Sequence, residues 1–225
     1  MESFTTQKIL RIIKEQGNPD KAPIHKKYHK SGLTFYGWDT PDLRKLANRL
    51  AKQITDNDTL FIYSAHLWAS EIWDARMLSN FLLAKRLDLF TEEDFTRFYK
   101  WFRDCDGWAV TDMLAYPVLG EYLRRFPQFV PLVDQWKDDD HLWVRRAGLV
   151  RFITPVRHKE PWPDNMETVL HYHFKEQDFF IRKAIGWVLR EWSKREPQRV
   201  LAFCERYKDE MAPLSYREAI RNVKK

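Results

Sequence analysis

A chain of 225 residues, 44% hydrophobic and 31% charged, has a globular composition that is neither disordered nor membrane-embedded. No apolar run approaches the length that spans a bilayer, and the opening MESFTTQKILRIIKEQ lacks the basic-then-apolar pattern of a secretory leader. Cys105 and Cys204, the only two cysteines, are too few for a disulfide framework or a metal cluster, so a reduced, cytoplasmic chain is expected. The formal charge of +6 and pI near 9.2 permit an anionic partner without requiring one. Ten tryptophans are a stronger signal, because burying that many indoles leaves many N–H donors in need of partners.

Almost every segment shows the helical period, and no run of period-two alternation interrupts it. Near the start, HKKYHK around Tyr28 is a basic–aromatic cluster that fits either a nucleic-acid contact or an exposed helix face. Thr40-Pro41-Asp42 predicts a helix start ahead of LRKLANRLAKQI, and Thr91-Glu92-Glu93-Asp94 predicts another ahead of FTRFYKWF. Pro127, Pro163, Pro197 and Pro213 each fall where a helix could begin, since proline is tolerated in a first turn. Only seven glycines are present, which suits short connections between helices.

A repeat runs through these helices. Trp73, Trp108 and Trp143 stand 35 residues apart, and Phe180 follows 37 later, a period typical of stacked helical pairs. The expected fold is therefore all-α: one domain over residues 1–225, built as an α-solenoid of stacked helical pairs with a concave face. Four residues past each aromatic come Met77, Asp112, Ala147 and Ala184, so one repeat carries an acid where the others carry small or apolar residues. Three residues past come Arg76, Thr111, Arg146 and Lys183, a row cationic in three of four repeats. Stacked, these rows would bring Arg146, Lys183 and Asp112 toward one groove suited to a phosphate backbone. The competing reading makes them solvated flanks beside a core stripe. Seven residues past the aromatics, Trp187 replaces the smaller Asn80, Ala115 and Val150, with Gly186 beside it to allow a close approach.

Trp108 and Asp112 lie one turn apart and share a helix face. A ring face beside a carboxylate suits chemistry that develops positive charge, such as cleavage of a glycosidic bond through an oxocarbenium-like state. On spacing alone, an ion pair between Asp112 and Arg146 with Trp108 in the core is the stronger reading. Trp187 and Arg190 also fall within one turn of each other, and packing explains Trp187 as readily as binding does. His171 and His173, two apart, point to different sides of a helix and do not make a metal pair. Cys105, between Asp104 and Asp106, sits where acids raise a thiol pKa and make it a poor nucleophile.

Taken together, DFFIRKAIGWVLREWSKREPQRV, MAPLSYREAI, DGWAVTDMLAYPVLG, WVRRAG, NPDKAPIHKKYHK and FYGWDTPDLRKL resemble the AlkD-like family of bacterial DNA alkylation repair glycosylases, in that family's order and over essentially the whole chain. The resemblance implies a right-handed solenoid of HEAT-like pairs whose basic concave groove holds duplex DNA. It also implies hydrolysis of the N-glycosidic bond of positively charged alkylated purines such as N3-methyladenine and N7-methylguanine. Asp112 matches the family's catalytic acid, and Trp108 and Trp187 match the aromatics that contact the lesion deoxyribose. Tyr28 matches its N-terminal tyrosine, and Arg146 and Arg190 match its cleft arginines; Lys183 joins them as a candidate DNA contact. The expected protein is a monomer without cofactor or metal. Gly107 and Ala109 depart from the bulkier or polar neighbours expected beside Trp108. Two other classes remain open: a catalytically silent HEAT-like protein that binds distorted or branched DNA, and a protein–protein scaffold.

Overall fold

The computed structural model describes residues 5–223; Met1 to Phe4, which open the segment read for a leader, lie outside them. Among the described residues every regular element is helical, apart from one isolated bridge between Thr34 and Ile72. The all-α expectation therefore holds. No described helix is long and apolar enough to cross a membrane. The chain forms two compact units, Met1–Leu114 and Ala115–Lys225.

The first unit contains α1 (Thr6–Glu15), α2 (Lys21–His29), α3 (Thr40–Ala51), α4 (Asn57–Ala69), α5 (Trp73–Lys85), α6 (Phe95–Arg103) and α7 (Trp108–Leu114). Its centre is α5, which packs against α3, α4 and α7 and is buried from Trp73 through Leu83. The predicted start at Thr40-Pro41-Asp42 is the first turn of α3, whose stripe Leu43, Leu46, Ala47 and Leu50 is fully buried at helical spacing. The start at Thr91 is a capping box: its hydroxyl and the Asp94 carboxylate satisfy each other's backbone N–H groups across a 3₁₀ turn that opens into α6. Ahead of α3 the chain turns at Gly37, whose φ of +78° suits a residue without a side chain. That turn lets Asp74, in the first turn of α5, accept from the backbone N–H groups of Tyr36 at 2.7 Å and Trp38 at 3.0 Å. Burial still pushes its carboxyl above the ordinary value, against the pull of those two donors.

The second unit opens with a π-helical turn, Ala115–Leu119. It continues through α8 (Gly120–Arg125), α9 (Val130–Asp134), α10 (Leu142–Val150), α11 (Ile153–Arg157), α12 (Met166–Tyr172), α13 (Phe179–Ser193), α14 (Pro197–Arg206) and α15 (Pro213–Ala219). Its axis is α13, the longest of these helices, which packs against α10, α14 and α15. Asp178 caps it, accepting from the N–H groups of Phe180 and Ile181. Pro197 and Pro213 start α14 and α15 as expected, and Pro127 starts a short 3₁₀ turn ahead of α9. Pro163 does not start a helix. Its carbonyl instead accepts from the N–H of Met166, where α12 begins.

The four repeat aromatics each fall in the first turn of a helix. Trp73 and Trp108 are the first residues of α5 and α7, and Trp143 and Phe180 are the second residues of α10 and α13.

Candidate functional site

Of the ten tryptophans, eight are buried; the two that keep access to solvent are Trp108 and Trp187. Core demand explains the eight. Trp38 donates its indole N–H to the Ile13 carbonyl at 2.8 Å and Trp192 to the Phe152 carbonyl at 2.9 Å, as buried indoles usually require. The two exceptions are Trp108, one turn before Asp112, and Trp187, one turn before Arg190.

In the first unit, the Trp108 ring meets the Tyr28 ring edge-on, with centroids 5.8 Å apart and planes at 80°. Tyr28 projects from the end of α2 and is 67% exposed. Beside it His29 sits among rings, 4.3 Å from Trp73 and 5.3 Å from Trp108 by centroid, and Phe35 stacks on Trp73 at 5.1 Å. Its Nδ1 is buried without a hydrogen-bond partner. Burial first, and then the nearby His25, pull its pKa down to about 4, so the ring is neutral at physiological pH.

Asp106 fixes this arrangement. Its carboxylate accepts from the Ser31 hydroxyl at 2.6 Å and from the Gly32 N–H at 2.8 Å, tying the loop after α2 to the residue that precedes Gly107 and Trp108. A side chain at Gly107 would meet the His29 carbonyl, so the departure from bulk there lies directly against the end of α2. Asp112, one turn along α7 from Trp108, is only 7% exposed. Thr111 beside it turns its hydroxyl back onto the Gly107 carbonyl at 2.9 Å. Cys105 is buried and its thiol is pushed up to about 12. Burial is the main cause, and the acidic neighbours that the sequence suggested contribute less.

The cationic row divides when its members are placed. Arg76 turns inward, donating to the carbonyls of Trp68 at 3.1 Å and Asp104 at 2.7 Å, so it is neither a solvated flank nor a free cation. Arg146 is also buried, and its guanidinium donates to the Phe180 carbonyl at the start of α13. Lys183, Trp187 and Arg190 share one face of α13, at successive steps of four and three residues. Trp187 stands edge-on to Tyr116, with ring centroids 6.2 Å apart. Both cations of this face pair with one carboxylate, Glu218 of α15: Lys183 at 2.9 Å, and Arg190 through its Nη1. Gly186 permits this, since a Cβ there would lie 2.5 Å from the Glu218 Cβ. The close approach read at Gly186 is thus to a neighbouring helix.

Sequence reasoning missed Asp106 as a clamp and Glu218 as a bridge. No local spacing signals either one, because their partners lie far along the chain. His171 and His173 pair with different acids, Glu210 at 2.9 Å and Glu176 at 3.3 Å. Among the described residues no group of three or more His, Cys, Asp or Glu side chains could hold a metal ion.

The family profile described as DNA alkylation repair enzyme matches residues 9–223. Among solved structures, the fold is similar to a predicted DNA alkylation repair enzyme from Enterococcus faecalis, with a TM-score of 0.80 and 22% identity over 93% of this chain and 97% of that one. It is also similar to AlkD2 from Streptococcus mutans (TM-score 0.63, 18% identity, 84% of this chain and 92% of that one). A third likeness is to smu.31 from Streptococcus mutans UA159 (TM-score 0.59, 18% identity, 81% of this chain and 100% of that one). No match was found among curated proteins.

Proposed function

The chain belongs to the DNA alkylation repair enzyme family, and from that premise we propose that it is a DNA glycosylase that hydrolyses the N-glycosidic bond of positively charged alkylated purines in duplex DNA. One observation supports this reading above the others. Of ten tryptophans, the two left partly open are Trp108, one turn from the acid Asp112, and Trp187, between the cations Lys183 and Arg190.

The chemistry follows from the substrate. An N3- or N7-alkylated purine already carries positive charge, so it departs with the bonding electrons of its glycosidic bond and needs no general acid. What the protein supplies is stabilisation of the cationic sugar left behind and a placed water. An ionised Asp112 does both: its charge opposes the oxocarbenium character at C1′, and an oxygen accepts a proton of the attacking water, which then passes to solvent. The ring faces of Trp108 and of Trp187 each carry negative quadrupole, which suits contact with a DNA sugar. Lys183 and Arg190, on one face of α13, are the cations that hold the phosphate backbone, and the exposed Tyr28 is a further DNA contact; Arg146, matched by the resemblance to a cleft arginine, is instead buried on the Phe180 carbonyl. Gripping the backbone rather than a flipped base leaves room for bulky adducts, in contrast to enzymes that extrude the base into a pocket. The enzyme reads as a cytoplasmic monomer that needs no cofactor.

The test is release of N7-methylguanine from methylated duplex. Asp112→Asn should bind that duplex as wild type does and lose on the order of 10²–10³ in single-turnover rate. Undiminished release by the variant would sink the assignment of Asp112. Binding without release by the wild type would instead identify a silent DNA-binding protein.

A further inference from the structure

The cations flanking Trp187 are not free. Lys183 Nζ lies 2.9 Å from Glu218 Oε1, and Arg190 Nη1 donates to Glu218 Oε2, so one carboxylate bridges the two cations that flank Trp187 along α13. Glu218 is itself largely covered, with 17% of its side chain exposed, against 37% for Lys183 and 23% for Arg190. Its position is built in. Gly186 lets α15 press onto α13, and the Ser215 hydroxyl, one turn earlier on α15, donates to the Arg182 carbonyl at 2.8 Å. Hydrogen bonding from Lys183, helped by the charges of Arg190 and Arg221, holds the Glu218 carboxyl below its ordinary range.

We propose that Glu218 is a positioning residue, which fixes Lys183 and Arg190 on either side of Trp187 and cuts the net charge of this face, so that it grips a lesion phosphate in one geometry while holding undamaged duplex weakly. This inference rests on the glycosylase reading for its catalytic arm and on DNA binding alone for its electrostatic arm. A guanidinium carries five N–H donors and an ammonium three. After the bonds to Glu218, donors therefore remain on both cations for a phosphate. Two long, flexible cations without the bridge would each lose rotamer freedom on binding; with it, that ordering is already done. The three groups carry one net positive charge instead of two, which restrains sequence-independent binding and its dependence on salt.

Two variants separate the geometry from the charge. Glu218→Gln removes the charge and keeps the length; Glu218→Asp keeps the charge and withdraws the carboxylate by one methylene. Each is compared with wild type for thermal unfolding, for binding to undamaged duplex across a salt series, and for single-turnover release of N7-methylguanine. The expected result for Glu218→Gln is tighter binding to undamaged duplex, a salt slope steeper by about one, and release slowed about tenfold. Glu218→Asp should keep the wild-type slope and still release slowly. An unchanged salt slope in Glu218→Gln, with wild-type excision intact, overturns the proposal and leaves the glycosylase reading standing. Slopes and rates that shift equally in both variants, in step with lost thermal stability, also overturn it, by reducing Glu218 to a packing residue. If the wild type binds duplex but releases no base, the glycosylase reading fails and the salt slopes alone decide the role of Glu218.

Discussion

Asp106 and Ser31 lie 75 residues apart in sequence and are joined by a 2.6 Å hydrogen bond. The same carboxylate accepts from the Gly32 N–H, so the loop after α2 hangs from the residue two before Trp108. This contact sets how the Tyr28 and Trp108 rings meet, because each ring stands within a few residues of one end of the clamp. Asp106→Ala should therefore leave the Ser31 hydroxyl and Gly32 N–H without their acceptor. The expected cost is about 1–3 kcal/mol of stability, with weaker binding to methylated duplex beyond what the stability loss explains. Chemical unfolding and binding isotherms check the two parts separately. A variant with wild-type duplex affinity would show that the clamp does not serve the Tyr28–Trp108 pair.

The neutral His29 makes stability depend on pH, and the sign follows from its depressed pKa. The folded ring titrates at about 4, whereas an exposed imidazole titrates near 6.5. Between those values the unfolded chain takes up a proton that the folded chain refuses. Stability should rise as pH increases from about 4 to 6.5, and this contribution should be level above that. A fully desolvated ring would contribute ~3 kcal/mol over that window, and His29 is only half-buried, so about 1–2 kcal/mol is expected after solvent screening. Burial pulls His173 in the same direction, while Asp74, with its carboxyl raised above the ordinary 3.8, acts in the opposite sense as pH rises from that value. His29→Phe isolates the term, since it keeps an aromatic ring among Trp73, Trp108 and Phe35. Its urea midpoint should fall less than that of wild type between pH 7 and pH 5, and equal falls would remove His29 as the cause.

The helix starts at Thr40, Thr91, Pro197 and Pro213 were legible because capping and first-turn proline are chemistry between near neighbours in sequence. The repeat of aromatics was legible for a related reason: a recurring helical pair needs the same packing residue at the same step. Pro163 shows the limit, since a proline can cap a helix through its carbonyl as well as begin one. The cationic row shows another. Spacing placed Arg76, Arg146 and Lys183 in one register, but only neighbouring helices decide that Arg76 turns onto the Trp68 and Asp104 carbonyls and that Lys183 meets Glu218. Charge in a sequence says what a residue can pair with; the fold selects the partner.

The uneven exposure of the tryptophans gives a final expectation, which does not depend on catalysis. Eight indoles are buried, each at 9% exposure or less, while Trp108 and Trp187 retain more solvent access. Acrylamide should therefore quench a limited fraction of the native emission, and Trp108→Phe with Trp187→Phe should remove most of that fraction. Undamaged duplex should protect the same fraction in the wild type, since both rings are proposed to face the DNA sugar. Each single variant apportions the effect: Trp108 reports beside Tyr28 and His29, and Trp187 beside Tyr116. Quenching that survives the double substitution would locate the accessible indoles elsewhere. Quenching lost in the double variant but not shielded by duplex would separate solvent exposure from DNA contact and remove the main support for the sugar-facing roles.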